Sequence, residues 1–418
     1  MSEPAKKSTG SMPGVQPESY QPQKPEMMRV LEGVQSAAKP ATGQHAFTGG
    51  AAVKPTDYDF LFSPFRDMDF TNCFTSLYAY LEDIREPDDY DCAKKRGEPC
   101  RHPDCHHACW QTMKNQAGSL FFLFDTMSGR SATVRGWGNK PTAIYSEIYD
   151  TDDMIDFLMG FVGYGYVKHT DNLMEHVRAS LNEGIPVIAR LKKGGAAYLD
   201  GEGDSFRLIT GCDGGKLLMP KPQGSQKAPK KAPKLNEIDS VYVLTGRAQR
   251  KHTQLDGLRR IKRVMDADRE AGAWDQYIHA FEGYHERLQG LSSDAFKQLF
   301  EFACKVAVWN CHNFAEVFRW HKGEGVFDGA NWIWADIRRP ELKEPCCRID
   351  WACDRSHTLQ WQLHHIYDGH EWSEKNVHRL GWGMCETFAM ILREIKAEDE
   401  IVYGAVCEMI GILEEATP

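Results

Sequence analysis

The chain has 418 residues, 42% hydrophobic and 26% charged, with 59 acidic against 50 basic side chains and a formal net charge of -9. That length buries one large core or two ordinary ones, and the acidic balance argues against a nucleic-acid binder, because phosphate contacts need a basic face. No run approaches the roughly 18 apolar residues a membrane span needs, and the first thirty residues are rich in Pro, Ser and Lys without an apolar signal core, so a cytoplasmic protein is expected.

Residues 1–55 are dominated by Pro, Gly, Ser, Ala and Lys and bury too little to offset their chain entropy; a disordered tail is predicted. Aromatic residues then gather at Tyr58, Phe60, Phe62, Phe65 and Phe70. Thr71 and Asn72 read as helix-capping side chains, and Phe74, Leu77, Tyr78, Leu81 and Ile84 recur at helical spacing. Cys73 is therefore expected to open a buried amphipathic helix.

Four thiols, Cys92, Cys100, Cys105 and Cys109, follow at the spacing C-x7-C-x4-C-x3-C, with His102, His106 and His107 among them. Thirteen cysteines, an odd number, in a reducing compartment read as thiols or metal ligands rather than as a disulfide framework. Zinc takes four S or N ligands tetrahedrally, and four protein ligands leave no open position, so a structural zinc held by the four cysteines is expected. The same thiols suit an iron–sulfur cluster, and the spacing does not separate the two. The plainer reading is a polar surface loop with unligated thiols.

The segments DTDDMIDFLMGF and HTDNLMEHVRASLNEG both predict helices, the second capped by Thr170 or Asp171, with Leu173, Val177 and Leu181 on its core face and Gly184 as its stop. The period then changes. Residues 186–191, 206–210, 216–219 and 241–244 are short β-branched runs separated by Gly-Asp and Gly-Gly turns, which predicts a small antiparallel sheet. A Lys/Pro segment, PKPQGSQKAPKKAPKLNE, reads as an exposed loop before the last strand. Beyond about residue 250 the patterns are helical throughout.

A thiol in the first turn of a buried helix, followed by helices, then GIPVIARL, then FRLITGCDGGKLLMP, resembles the papain-like C39-type cysteine peptidases and the related amino-terminal domain of butirosin-type acyltransferases. The likeness covers about residues 56–250. It implies Cys73 as nucleophile, in Asn72-Cys73 where the family commonly shows Asp-Cys. Its general-base His falls on Ser205, the residue that orients the base on Met219, and its oxyanion-hole Gln on Asp67. Such chemistry needs an imidazole within hydrogen-bond reach of the thiol, so general proteolysis is not expected. Substitute bases would come from His169, His312, His364 or His365; each also reads as an ordinary packed or surface histidine.

In the helical half, Arg247, Arg250, Lys251, Arg259, Arg260, Lys262 and Arg263 flank the apolar stripe Leu255, Leu258, Ile261 and Met265. That pattern reads either as a binding face for acidic partners or as a solvated face over a core stripe. Trp309, His312, Asn313 and Trp320 share one helix face and line either a pocket or core. The expected architecture is α+β: a papain-like domain at 56–250 with a Cys/His-rich insertion at about 90–110, then an all-helical domain at 251–418. The expected function is to bind or process a peptide, amide or acyl-carrier substrate through Cys73, without nucleic acid or membrane. The alternative is a non-enzymatic, metal-stabilised interaction module. Exposure of Cys73 in a cleft beside a base separates an enzyme from a scaffold that buries it.

Overall fold

The computed structural model describes residues 60, 70–82, 116–132, 148–193, 205–220, 232–282, 317–318, 339–368 and 382–416. The predicted N-terminal tail, the Cys/His-rich segment, most of the Lys/Pro loop and nearly all of the helical pattern around Trp309 lie outside them.

The first helix, α1 (Phe70–Leu81), is buried from Phe70 through Ala79, so it runs through the core with no solvent face along that stretch. Thr71 and Asn72, expected as caps, lie inside its first turn. Thr71 instead bonds within the core, its carbonyl accepting from Thr75 Oγ1 at 2.8 Å. Helix α2 (Gln116–Met127) crosses beside it. Its apolar run Leu120–Phe124 is buried, and Phe124 meets Phe74 and Tyr78 edge-on with ring centroids 5.0 and 5.3 Å apart.

Helix α3 (Thr151–Val162) begins as its sequence predicts, with the Asp150 carboxylate accepting from the Asp153 N–H at 2.7 Å. It ends at Gly163, in the left-handed region at φ 78°, where a Cβ would lie 2.9 Å from the Ala248 carbonyl oxygen. Strand β1 (Tyr164–His169) follows at once. Helix α4 (Leu173–Asn182) then packs Val177 and Leu181 inward. The residue before it is Asn172 rather than Thr170 or Asp171, at φ 45° and with no side-chain cap.

Strands β2 (Val187–Leu191), β3 (Phe206–Ile209) and β6 (Ile238–Arg247) join β1 in an antiparallel sheet of order β1-β6-β2-β3. A two-stranded ribbon, β4 (Gly211–Asp213) with β5 (Lys216–Leu218), extends from it. Successive strand residues point to opposite faces, and the register carries that parity across the sheet. Ile188 pairs with Leu208 and with Tyr242, and all three lie in one apolar cluster with α1 and α2. Val187 pairs with Ile209 and Ala189 with Val241, and these four lie in a second cluster with Val177 and Leu181 of α4. The sheet is thus covered on both faces, by α1 and α2 on one and α4 on the other.

The remaining described elements are helical. In α5 (Gln254–Glu270), Asp256 Oδ2 accepts from the Thr253 N–H at 2.8 Å and Thr253 Oγ1 from the Asp256 N–H, a reciprocal cap. A short α6 (Ala273–Phe281), a 26-residue α7 (Lys343–Asp368) and a 34-residue α8 (Trp382–Glu415) follow. Two helical patterns in the sequence, SEKNVHRLGWGMCETFAMILREIKAED and EIVYGAVCEMIGILEE, meet within α8 at the acidic run Glu398-Asp399-Glu400. They run on unbroken because each of those acids has a partner on another helix: Glu398 with Arg355 at 2.8 Å, Asp399 with Trp274, and Glu400 with Arg269. Helix α8 packs against α5, α6 and α7. One apolar cluster holds Phe74 and Leu208 together with Ile261, Ile349 and Val406, so side chains from both sides of residue 250 share a core. Among the described residues no helix is long and apolar enough to cross a membrane, and no disulfide joins the described cysteines.

Candidate functional site

Cys73 is the fourth residue of α1, in its first turn as expected, and 0% of its surface is exposed. Two shells surround this part of α1. The apolar one contains Phe70, Phe74, Phe124 and Leu208; the ring of Phe70 stands edge-on to Phe206 and Tyr242, at 5.4 and 6.2 Å, which fixes α1 against the sheet.

The second shell is polar and equally buried. Thr71, Asn72, Thr75 and Ser76 of α1 lie below water, as do Asp125, Thr126, Ser128, Arg130 and Ser131, which end α2 and enter the short 3-10 turn after it. Arg130 links the two elements: its Nη1 donates to Thr71 Oγ1 at 3.3 Å while its Nε stands 3.5 Å from Asp125 Oδ1. Ser131 Oγ donates to Thr126 Oγ1 at 3.1 Å and Ser128 Oγ to the Asp125 carbonyl at 2.9 Å. Buried polar groups are stable only when paired, and here the pairing locks the end of α2 onto the start of α1. Composition and spacing do not single out Asp125 and Arg130; the signal the sequence carries is the polar string from Asp125 to Ser131 directly after Leu-Phe-Phe-Leu-Phe.

Sheet parity separates Cys73 from the groups expected to work with it. Phe206 and Leu208 face α1, so Arg207 faces the other way, opposite Ala189 on the α4 side. Ser205, two residues before Arg207, shares that direction, and Arg207 Nη1 donates to Ser205 Oγ at 3.0 Å and to the Phe206 carbonyl at 2.6 Å. The position where the resembled family carries its base is thus occupied by a hydroxyl holding a wholly buried guanidinium, on the side of the sheet away from Cys73. Met219 packs against the α4-side cluster.

His169 pairs with Val241, which puts it on the α4 side as well, and its ring stacks on His176 of α4 at a centroid distance of 3.5 Å. Partial burial, then the neighbouring His176, lowers its pKa against the opposing charge of Asp171. It is out of reach of a thiol on the other face. Asp67, His312 and the side chains of His364 and His365 lie outside the described residues, as do Cys92, Cys100, Cys105 and Cys109. Among the described residues no group of three or more His, Cys, Asp or Glu side chains is arranged to hold a metal ion.

A second polar cluster centres on Asp152 in the first turn of α3. Lys168 Nζ donates to Oδ2 at 2.6 Å, Tyr242 Oη to Oδ1 at 3.0 Å, and Arg190 Nη1 lies 3.6 Å from Oδ1. Burial works to raise this carboxyl, but the hydrogen bonds from Lys168 and Tyr242 and the charges of Lys168 and Arg190 outweigh it and hold it below the usual range. Burial, then Asp156 and Asp152, pushes Tyr166 up to about 12, and burial with Asp152 raises Tyr242 too. These three groups keep their ordinary charge states at neutral pH, which suits a structural tie and not proton exchange.

The basic helix predicted around Arg259 is α5, and its cations are committed within the chain. Arg260 donates from Nη2 to Asp153 at 2.7 Å and from Nε to the Ser128 carbonyl at 3.0 Å, with its guanidinium 3.7 Å from the centre of the Tyr149 ring. Arg259 meets Glu414 at 2.8 Å, Lys262 meets Asp266 at 2.7 Å, and Arg263 stacks over Tyr149 at 5.1 Å. Leu258, Ile261 and Met265 of the apolar stripe are buried, and Arg260 is buried with them instead of lying on a solvated face. In comparisons with known proteins the chain matches no family model, no curated protein and no solved structure.

Proposed function

We propose that this chain is a binding protein built on a papain-like layout of the C39 type, in which Cys73 has kept its place and lost its chemistry. The observation that carries this reading is the complete burial of Cys73 on the face of the sheet opposite to Ser205 and His169. The layout is supported by the order of elements, a cysteine-bearing helix packed on the strands that follow it and a hairpin after them. The absence of catalysis follows from the thiol's surroundings: it is wholly buried, and neither Ser205 nor His169 lies on its side of the sheet to take its proton as a general base. The ligand class remains that of the resemblance, a peptide, amide or acyl carrier, bound without turnover.

Alkylation with iodoacetamide followed by peptide mapping tests this. In the native protein Cys73 should stay unmodified while the half-buried Cys347 and Cys407 react, and it should react fully in denaturant. Peptide and acyl-ester substrates should show no turnover that Cys73→Ala abolishes. Rapid native labelling of Cys73 together with turnover lost in Cys73→Ala would overturn the proposal.

The Cys/His-rich loop is proposed to carry the structural metal. A loop this polar gains a core of its own only around an ion, to which four thiolates bind strongly. Freshly purified, reduced protein is expected to contain about one zinc per chain, or to show iron–sulfur absorption, through Cys92, Cys100, Cys105 and Cys109. Elemental analysis finding neither metal would remove the site.

A further inference from the structure

Helix α4 starts without a side-chain cap. Asn172, the residue before it, is left-handed at φ 45° and makes no capping bond, so the turn is closed by the Asn172 carbonyl, which accepts from the Glu175 N–H at 2.9 Å and the His176 N–H at 3.3 Å. A ring contact fastens it to the sheet. His169, the last residue of β1, stacks on His176 in that turn, with centroids 3.5 Å apart and ring planes 13° from parallel. Thr170, Asp171 and Asn172 alone separate the strand from the helix, and both rings are half-buried. Leu173 and Met174, in the turn so held, pack against the apolar cluster under α4. The charged groups around the pair are Asp171 in the connection, Glu175 and Arg178 of α4 and Asp239 of β6, all exposed. Strand β2 turns the apolar Val187, Ala189 and Leu191 to α4. The acids of α3 act on the opposite face, where Asp152 meets Lys168 at 2.6 Å and Asp156 lies near Tyr166.

We propose that the His169–His176 stack is an acid-operated latch, which holds the first turn of α4 to the end of β1 at neutral pH and releases it when both rings carry protons. Two neutral rings stack at this distance, as do one neutral and one protonated. Two imidazolium ions placed so repel each other, and they do so at a helix N-terminus, whose dipole disfavours cations. Even with the charges screened as in water, repulsion across such a gap disfavours the doubly protonated stack by roughly fivefold. Partial burial, then the charge of His176, lowers the His169 pKa from its ordinary 6.5, against the opposing charge of Asp171. A histidine lowered in the closed form gives stability that is fully present above 6.5 and is lost as pH falls through the lowered value. Release bares Leu173 and Met174 on the side of the sheet where Val167 is already 43% exposed, so acid uncovers an apolar ledge there.

Hydrogen exchange of residues 176–182 in the full chain, corrected for the intrinsic pH dependence of exchange, reads this directly. The expected result is protection that falls roughly fivefold between about pH 7.5 and about pH 5 in the native protein. It should stay level in His169→Phe, which keeps a ring on His176 and takes up no proton. Protection that does not fall on acidification in the native protein overturns the latch, and so does an equal fall in His169→Phe. A second readout needs no variant: followed by NMR, the two imidazoles should titrate as a coupled pair, each ring reporting both proton uptakes. Two independent titrations would overturn the proposal whatever the variant does.

Discussion

Replacing Phe124 by Ala is expected to destabilise the fold by about 3–5 kcal/mol and to open Cys73 to alkylation in the same step. Phe124 is wholly buried, with edge-on contacts to Phe74 at 5.0 Å and Tyr78 at 5.3 Å on successive turns of α1. Removing the ring loses its transfer free energy, leaves a cavity that two rigid neighbours fill poorly, and deletes two aromatic pairs worth roughly 0.5–1.5 kcal/mol each beyond their area. Cys73 shares its apolar cluster with these rings, so its protection from reagent should fall with the stability of the α1–α2 contact. Urea unfolding gives the first quantity and the rate of iodoacetamide modification the second. A variant with unchanged midpoint and unchanged Cys73 protection would mean that this pair of helices does not hold the site closed.

How far the site could be read beforehand depends on the range of the interactions involved. The helix around Cys73 was legible because Phe74, Leu77, Tyr78 and Leu81 repeat locally, and the strand at Val187–Leu191 because its β-branched run sits between Gly184 and a polar stretch. The facing of Ser205 was not legible. A strand's parity is local, but which face meets α1 depends on Ile188 pairing with both Leu208 and Tyr242, residues 20 and 54 positions away. Strand β1 was missed because Gly165 and Lys168 break the apolar pattern of an edge strand, whose identity rests on pairing with β6 about 80 residues later. The apolar run Leu120–Phe124 of α2 is plain in the sequence, but so short a continuous run has no period that separates a buried helix from a buried strand. The joining of α8 across Glu398, Asp399 and Glu400 likewise follows from partners on three other helices, which no window along the chain contains.

The polar shell makes the second large prediction, and its sign depends on how many charges a variant removes. Arg130→Met alone is expected to cost about 3–5 kcal/mol, because it takes from the wholly buried Asp125 the guanidinium 3.5 Å away and from Thr71 a donor at 3.3 Å. Asp125→Asn alone should be costly in the same way, leaving Arg130, 7% exposed, beside a neutral amide. The double variant removes both charges and with them most of the desolvation cost that the pair offsets, so it should be markedly more stable than the sum of the single changes predicts. A double-mutant cycle from denaturant midpoints measures that coupling. Additive effects would show that Asp125 and Arg130 do not act as a unit, and that the Arg130–Thr71 bond ties α2 to α1 without help from Asp125. Strong coupling with little change in Cys73 labelling for the double variant would show that the shell holds the helices in register without tuning the thiol.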